Sequence, residues 1–73
     1  MLEVRLFATL RENREKIAHI DWSEGMTGLD VLSELDIPRK EVAIFLINGA
    51  HSSPEAPLSP DDIIAVFPPV GGG

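Results

Sequence analysis

Leu2, Val4 and Leu6 alternate with Glu3, Arg5 and Phe7, the period of two shown by a strand that lays one face on a core. Residues 8–16 break the alternation. Arg11, Glu12, Arg14, Glu15 and Lys16 surround Leu10 there, which fits either a solvated turn of helix or a wide loop. Alternation resumes over residues 17–22, with Ala18, Ile20 and Trp22 on one side, and predicts a hairpin partner for the first strand.

After Ser23-Glu24-Gly25, Thr27 stands at an N-cap position with Asp30 three residues on, the spacing of a capping box with Asp in place of the usual Glu. Leu29, Leu32 and Leu35 then recur at helical spacing, with Asp30, Ser33 and Glu34 opposite. This predicts an amphipathic helix packed on a sheet and ended by Pro38, because a residue before proline is pushed out of the helical region. Residues 42–47 form a continuous apolar run, the pattern of a strand buried on both faces. Asn48-Gly49 is a turn signal, since both residues tolerate positive φ. Residues 51–60 are rich in Ser and Pro and predict irregular chain holding at most a short edge strand; residues 63–67 give the last strand, which Pro68-Pro69 stop by removing two backbone donors. Strand, strand, helix, strand, strand is an α+β order, a helix across one face of a mixed sheet of four to five strands.

The chain has 73 residues, the size of one small domain, and neither a repeat nor a linker divides it. Twelve Asp and Glu against six Lys and Arg give a net charge of −6, which argues against nucleic acid, whose affinity rests on neutralised phosphates. Without cysteine the chain brings no disulfide, thiolate metal site or cysteine nucleophile. The apolar runs fall far short of the roughly 18–20 residues that cross a bilayer, and the charged alternation at the start is unlike a secretory signal. The expected setting is cytoplasmic, without membrane or nucleic-acid partners.

Candidate chemistry concentrates at Phe67-Pro68-Pro69-Val70-Gly71-Gly72-Gly73. Two prolines stiffen the exit from the last strand, and three glycines follow with no side chains, a thin tail suited to a narrow channel. A frayed end is the other reading of such a tail. His19 and His51 are isolated in sequence and suggest no metal site. Asp61-Asp62, after Pro60, suit turn chemistry better than paired acid and base carboxylates. Phe7 and Phe67 are either ordinary core or an exposed anchor, since a period-two strand assigns a face but not a neighbour.

The same ending, preceded by Leu58-Ser59-Pro60-Asp61-Asp62-Ile63-Ile64, resembles the small subunit of molybdopterin synthase, a ubiquitin-like β-grasp sulfur carrier. The opening Val4-Arg5-Leu6-Phe7-Ala8-Thr9-Leu10-Arg11-Glu12 and residues 42–49 are similar to the same family, in the same order. The family usually carries Gly-Asp at Asp61-Asp62, Ala, Ser or Thr at Gly71, and an apolar contact residue at His51. The resemblance implies a β-grasp domain over residues 1–67 and a flexible tail over 68–73. It implies that Gly73, behind Gly72, is adenylated, converted to a thiocarboxylate and made to donate its sulfur to a pterin precursor of the molybdenum or tungsten cofactor. Phe7, Arg11, Phe67, Pro68, Pro69, Val70 and Gly71 would meet the partners: the large synthase subunit, an E1-like adenylating enzyme and a sulfur donor. No cofactor is held permanently, ATP being used by the activating enzyme, and the chain is not catalytic alone. Three other readings stay open: a thiazole-forming sulfur carrier of thiamine biosynthesis, a ubiquitin-like modifier, and a β-grasp interaction module whose tail is never activated.

Overall fold

A computed structural model describes residues 1–69. The chain forms β1 (Leu2–Leu6), a 3-10 turn (Ala8–Arg11), β2 (Ile17–Ile20), α1 (Gly28–Glu34), a second 3-10 turn (Arg39–Glu41), β3 (Ile44–Ile47), β4 (Ala50–His51) and β5 (Ile63–Phe67). The five strands make one sheet in the order β2-β1-β5-β3-β4. β1 and β5 run parallel at its centre and the other pairs are antiparallel. This is the β-grasp arrangement: a mixed sheet crossed on one face by a single helix. No helix among the described residues is long and apolar enough to cross a membrane.

Alternation places the core. Leu2, Val4 and Leu6 of β1, Ile64 and Val66 of β5 and Phe45 of β3 are buried against Val31 and Leu32 of α1, with Leu10, Ile37 and Leu58 closing the edges. Gly28, the first residue of α1, sits where the helix start meets the loop before β5. A Cβ there would lie 2.5 Å from the Phe45 ring and 2.8 Å from the Pro54 carbonyl oxygen. Since the backbone at Pro54 also accepts the Leu29 N–H at 2.9 Å, it cannot easily give way. Gly28→Ala is therefore expected to lower stability by about 1–3 kcal/mol, the usual cost of overpacking, as a drop in the urea midpoint at unchanged slope.

The capping box forms as expected, the Asp30 carboxylate accepting the Thr27 N–H at 2.9 Å. Four other expectations are corrected. The helix stops at Glu34, well before Pro38, in a Schellman turn: Asp36 takes a left-handed φ of 59°, the Ile37 N–H reaches the Leu32 carbonyl at 2.8 Å and the Asp36 N–H reaches Ser33 at 3.1 Å. Arg14 then donates to the exposed carbonyls of Leu35 and Asp36 at 3.1 and 2.9 Å. Leu29, expected on the core stripe, is exposed, and Val31 is buried instead, because α1 lays the stripe Gly28, Val31 and Leu32 on the sheet and Leu29 falls outside it. β2 ends at Ile20 rather than reaching Trp22, which still packs half-buried against the core, its indole N–H donating to the Leu58 carbonyl at 2.9 Å.

The fourth correction is β3. It begins at Ile44 rather than Val42 and is buried on one face only: Phe45 is in the core, whereas Ile44 is 40% exposed. A single helix covers one side of the sheet, so every second residue of the central strands is left without a covering layer. Asp61 and Asp62 do the turn chemistry expected of them. Asp61 holds a φ of 66°, where the family resemblance expects glycine. The buried Asp62 carboxylate accepts the Ser59 N–H at 2.8 Å and an N–H of the Asn48 side-chain amide at 2.9 Å, while the Asn48 side-chain oxygen Oδ1 accepts the Ile63 N–H at 2.9 Å. The β3–β4 turn is thereby fastened to the start of β5.

Candidate functional site at the exit of the last strand

The parallel register between β1 and β5 pairs Leu6 with Val66. One residue further along, Phe7 and Phe67 emerge side by side on the uncovered sheet face. Their rings stack with centroids 4.3 Å apart and planes 7° from parallel. The guanidinium carbon of Arg11 lies 5.3 Å from the Phe7 ring centroid, and its Nε donates to the Leu6 carbonyl at 2.8 Å. The chain turns out of β1 through Ala8, whose φ of 55° is unusual for a residue with a Cβ, and the following 3-10 turn brings Arg11 back over the ring.

Backbone bonds hold the stack from both sides. The Phe7 N–H donates to the Val66 carbonyl at 3.3 Å and the Ala43 N–H to the Phe67 carbonyl at 2.8 Å. The last strand is thus tied to a neighbour up to Phe67, and Pro68 and Pro69, half-buried and exposed, carry the chain away without donors of their own. The ring pair is worth about 0.5–1.5 kcal/mol beyond its buried area, and a cation over an exposed ring adds about 0.5–1 kcal/mol. What the arrangement does is to fix the place at which Pro68 and Pro69 leave the sheet.

The site residues read from the sequence therefore divide cleanly. Phe7, Arg11 and Phe67 come together in one cluster, with Pro68 and Pro69 leading from it; the two rings are a half-buried stack on the uncovered face rather than core. Val70, Gly71, Gly72 and Gly73 lie outside the described residues. Sequence reading missed the rest of the uncovered face: Ile44 faces Phe67 across the sheet and Leu46 faces Ala65, and Ile63 is 39% exposed on the same side. The odd positions of β5 carried the signal, since Ile63, Ala65 and Phe67 form an apolar row that one helix on the opposite face cannot cover. Elsewhere, the Ser53 hydroxyl, with Arg39 3.6 Å away adding to it, holds the Glu55 carboxyl below the ordinary glutamate range.

The ThiS family model matches residues 4–73. Among solved structures, the chain is similar to SAMP1 from Haloferax volcanii, with 25% identity over 99% of this chain and 98% of that one and a TM-score of 0.78. A second structure, of H. volcanii small archaeal modifier protein 1, also shows 25% identity and a TM-score of 0.78, over 94% and 97% of the two chains. A Pyrococcus furiosus protein described as molybdopterin converting factor, subunit 1, shares the fold at 24% identity over 94% and 97%, with a TM-score of 0.73. No curated protein matches significantly.

Proposed function

This chain belongs to the ThiS family of ubiquitin-fold sulfur carriers and small modifiers, and on that premise we propose that it is the sulfur-carrying small subunit of a molybdopterin synthase. The observation that carries the reading is the Phe7–Phe67 stack at the root of the Pro68-Pro69-Val70-Gly71-Gly72-Gly73 segment. An apolar anchor fixed to the sheet is followed by a stiff spacer and then by residues slim enough for a channel. Docking of the anchor offsets the ordering entropy of the glycines on insertion.

The chemistry follows from the carboxylate of Gly73. A terminal carboxyl has a pKa of about 3.3–3.7, so near neutrality it is an anion and a poor acyl donor. In the proposed sequence its oxygen attacks the α-phosphorus of ATP on the adenylating enzyme and pyrophosphate leaves. The terminal sulfur of a donor persulfide then displaces AMP from the acyl carbon to give an acyl disulfide, and a thiol attacks the donor's own sulfur, so that the donor leaves as a mixed disulfide and the electron pair of the broken S–S bond stays on the thiocarboxylate. Like a thiolate, that group is ionised and soft; on the large subunit its sulfur attacks an electrophilic carbon of the pterin precursor to give a thioester, and water then cleaves the acyl–sulfur bond, which leaves the sulfur on the precursor and returns the Gly73 carboxylate. This chain's own work is to dock through Phe7, Arg11 and Phe67 and to deliver Gly72-Gly73; the proton-transfer groups are supplied by the partners.

The similarity to small archaeal modifier proteins favours a second reading, in which the activated Gly73 is captured by a lysine amine as an isopeptide. One reconstitution separates the two. With adenylating enzyme, ATP, sulfur donor, large subunit and pterin precursor present, the carrier reading expects precursor consumed in step with loss of sulfur from the chain. Stable chain–lysine conjugates without precursor turnover would establish the modifier reading instead.

A further inference from the structure

Asn48 and Gly49 alone join β3 to β4, with φ of 51° and 85°, the two positive values of a type I′ hairpin turn. Three bonds hold Asn48 to the start of β5. A side-chain N–H donates to the buried Asp62 carboxylate at 2.9 Å, Oδ1 accepts the Ile63 N–H at 2.9 Å, and the backbone N–H reaches the Ile63 carbonyl at 2.7 Å. Asn48 is nevertheless exposed, as are Gly49 and both residues of β4, so water has access to its amide.

An asparagine followed by glycine carries an electrophile and a nucleophile on adjacent residues. Glycine leaves its own backbone nitrogen unhindered, having no Cβ. Asn13, the chain's other asparagine, precedes Arg14, whose side chain crowds the corresponding nitrogen. In the closed turn the two groups are kept apart. Ring closure needs the Asn48 Cβ and the Gly49 nitrogen eclipsed about the Cα–C bond, and the left-handed backbone of a type I′ turn holds them far from that rotation. The bonds to Asp62 and Ile63 meanwhile hold the side chain toward β5.

We propose that Asn48 is a self-modification site, guarded by its bonds to Asp62 and Ile63 and deamidated when those bonds open locally. Opening parts the three bonds around Asn48 and the two-residue β4 while β1, β3 and β5 stay paired, a smaller event than unfolding. Hydroxide removes the Gly49 amide proton, and the nitrogen attacks the Asn48 Cγ. The bond from Cγ to the side-chain nitrogen breaks, and ammonia leaves with a proton from water, which returns the hydroxide. Water then opens the five-membered imide at either carbonyl, giving aspartate or isoaspartate at position 48. Neither product restores the turn. Aspartate sets a second carboxylate against Asp62 where a donor stood, like charges at hydrogen-bond distance. Isoaspartate adds a backbone atom to the turn that fixes the register of β3 with β4. The change is one-way and falls at the end of β5 away from the Phe7–Phe67 stack, so the inference is independent of the carrier reading.

The test ages the purified full chain at mildly alkaline pH and reads aspartate and isoaspartate at position 48, and at Asn13, by peptide mapping with mass spectrometry. Modification is expected at Asn48 and not at Asn13, about tenfold or more slower than in the urea-unfolded chain. Urea too dilute to unfold the chain should change the rate little. Asp62→Ala, which removes the charged acceptor, is expected to raise the folded-state rate about tenfold or more. Should that variant not fold, hydrogen exchange of the Ile63 amide in the wild type takes its place, with the same urea dependence expected as for deamidation. The aged product and Asn48→Asp should each melt about 4 °C or more below the wild type. Four results would overturn the proposal: a folded chain that stays unmodified, one modified as fast as the unfolded chain, a rate that climbs with urea in step with global unfolding, or a product as stable as its parent.

Discussion

Deleting Gly73, or appending one residue after it, is expected to abolish sulfur transfer while leaving the fold unchanged. Each residue of extended chain displaces the reacting carbon by about 3.5 Å, whereas the productive separation of reacting atoms is itself only about 3–3.5 Å and its loss forfeits much of an orientation advantage of about 7–11 kcal/mol. The root of the tail cannot slide to compensate, because Phe67 is tied by the Ala43 N–H and by its ring partner Phe7. Reconstituted sulfur transfer and thermal unfolding, run on the two length variants, check this. Activity retained at either length contradicts the carrier mechanism; a changed melting temperature contradicts the separation of tail from fold.

Phe67→Ala should have the next largest effect, and mainly on KM. Central aromatic anchors cost about 2 kcal/mol or more when truncated, equivalent to a rise of roughly thirtyfold in KM for the adenylating enzyme at a tenfold change per 1.4 kcal/mol. The fold should tolerate the change. Phe67 lies on the uncovered face, its neighbours Val66 and Ile64 keep the core, and the bond from Ala43 is to its backbone. Phe7→Ala should behave alike, and the two together should cost less than the sum, since either truncation already breaks the stack. Unchanged KM in Phe67→Ala would remove the stack from the docking surface; lowered kcat at unchanged KM would place its role after binding.

Much of the fold was legible because period-two alternation is a strong signal where one face of a strand is buried. Leu2, Val4 and Leu6 marked β1, and residues 63–67 marked β5 to the residue. The errors arose where tertiary context outweighed local pattern. An unbroken apolar run over residues 42–47 cannot reveal that only one layer of helix exists to cover it, so the outward direction of Ile44 and Leu46 was hidden. Asp36 in a left-handed turn gave no glycine to mark the helix end, and Pro38 drew the boundary past it.

The candidate site was legible in its members but not in its geometry. Phe7 and Phe67 stand sixty residues apart, and nothing local distinguishes a stacked pair on an open face from two core rings; the parallel pairing of β1 with β5 decides it. Arg11 was recognisable only through family resemblance, since its aim depends on the turn through Ala8. His51 stood out as a departure from the family pattern, and its placement opposite Leu46 shows where that departure falls.

The central claim is that Gly73 carries sulfur, and the most direct test is an intact mass of the chain, with tandem localisation, after incubation with adenylating enzyme, ATP and sulfur donor. Localisation matters because exchanging oxygen for sulfur adds nearly the same mass as oxidising Met1 or Met26 to the sulfoxide. The account predicts the added mass on Gly73, dependent on ATP and absent from the chain lacking that residue. An unmodified Gly73, with an enzyme shown to load another carrier under the same conditions, would contradict it.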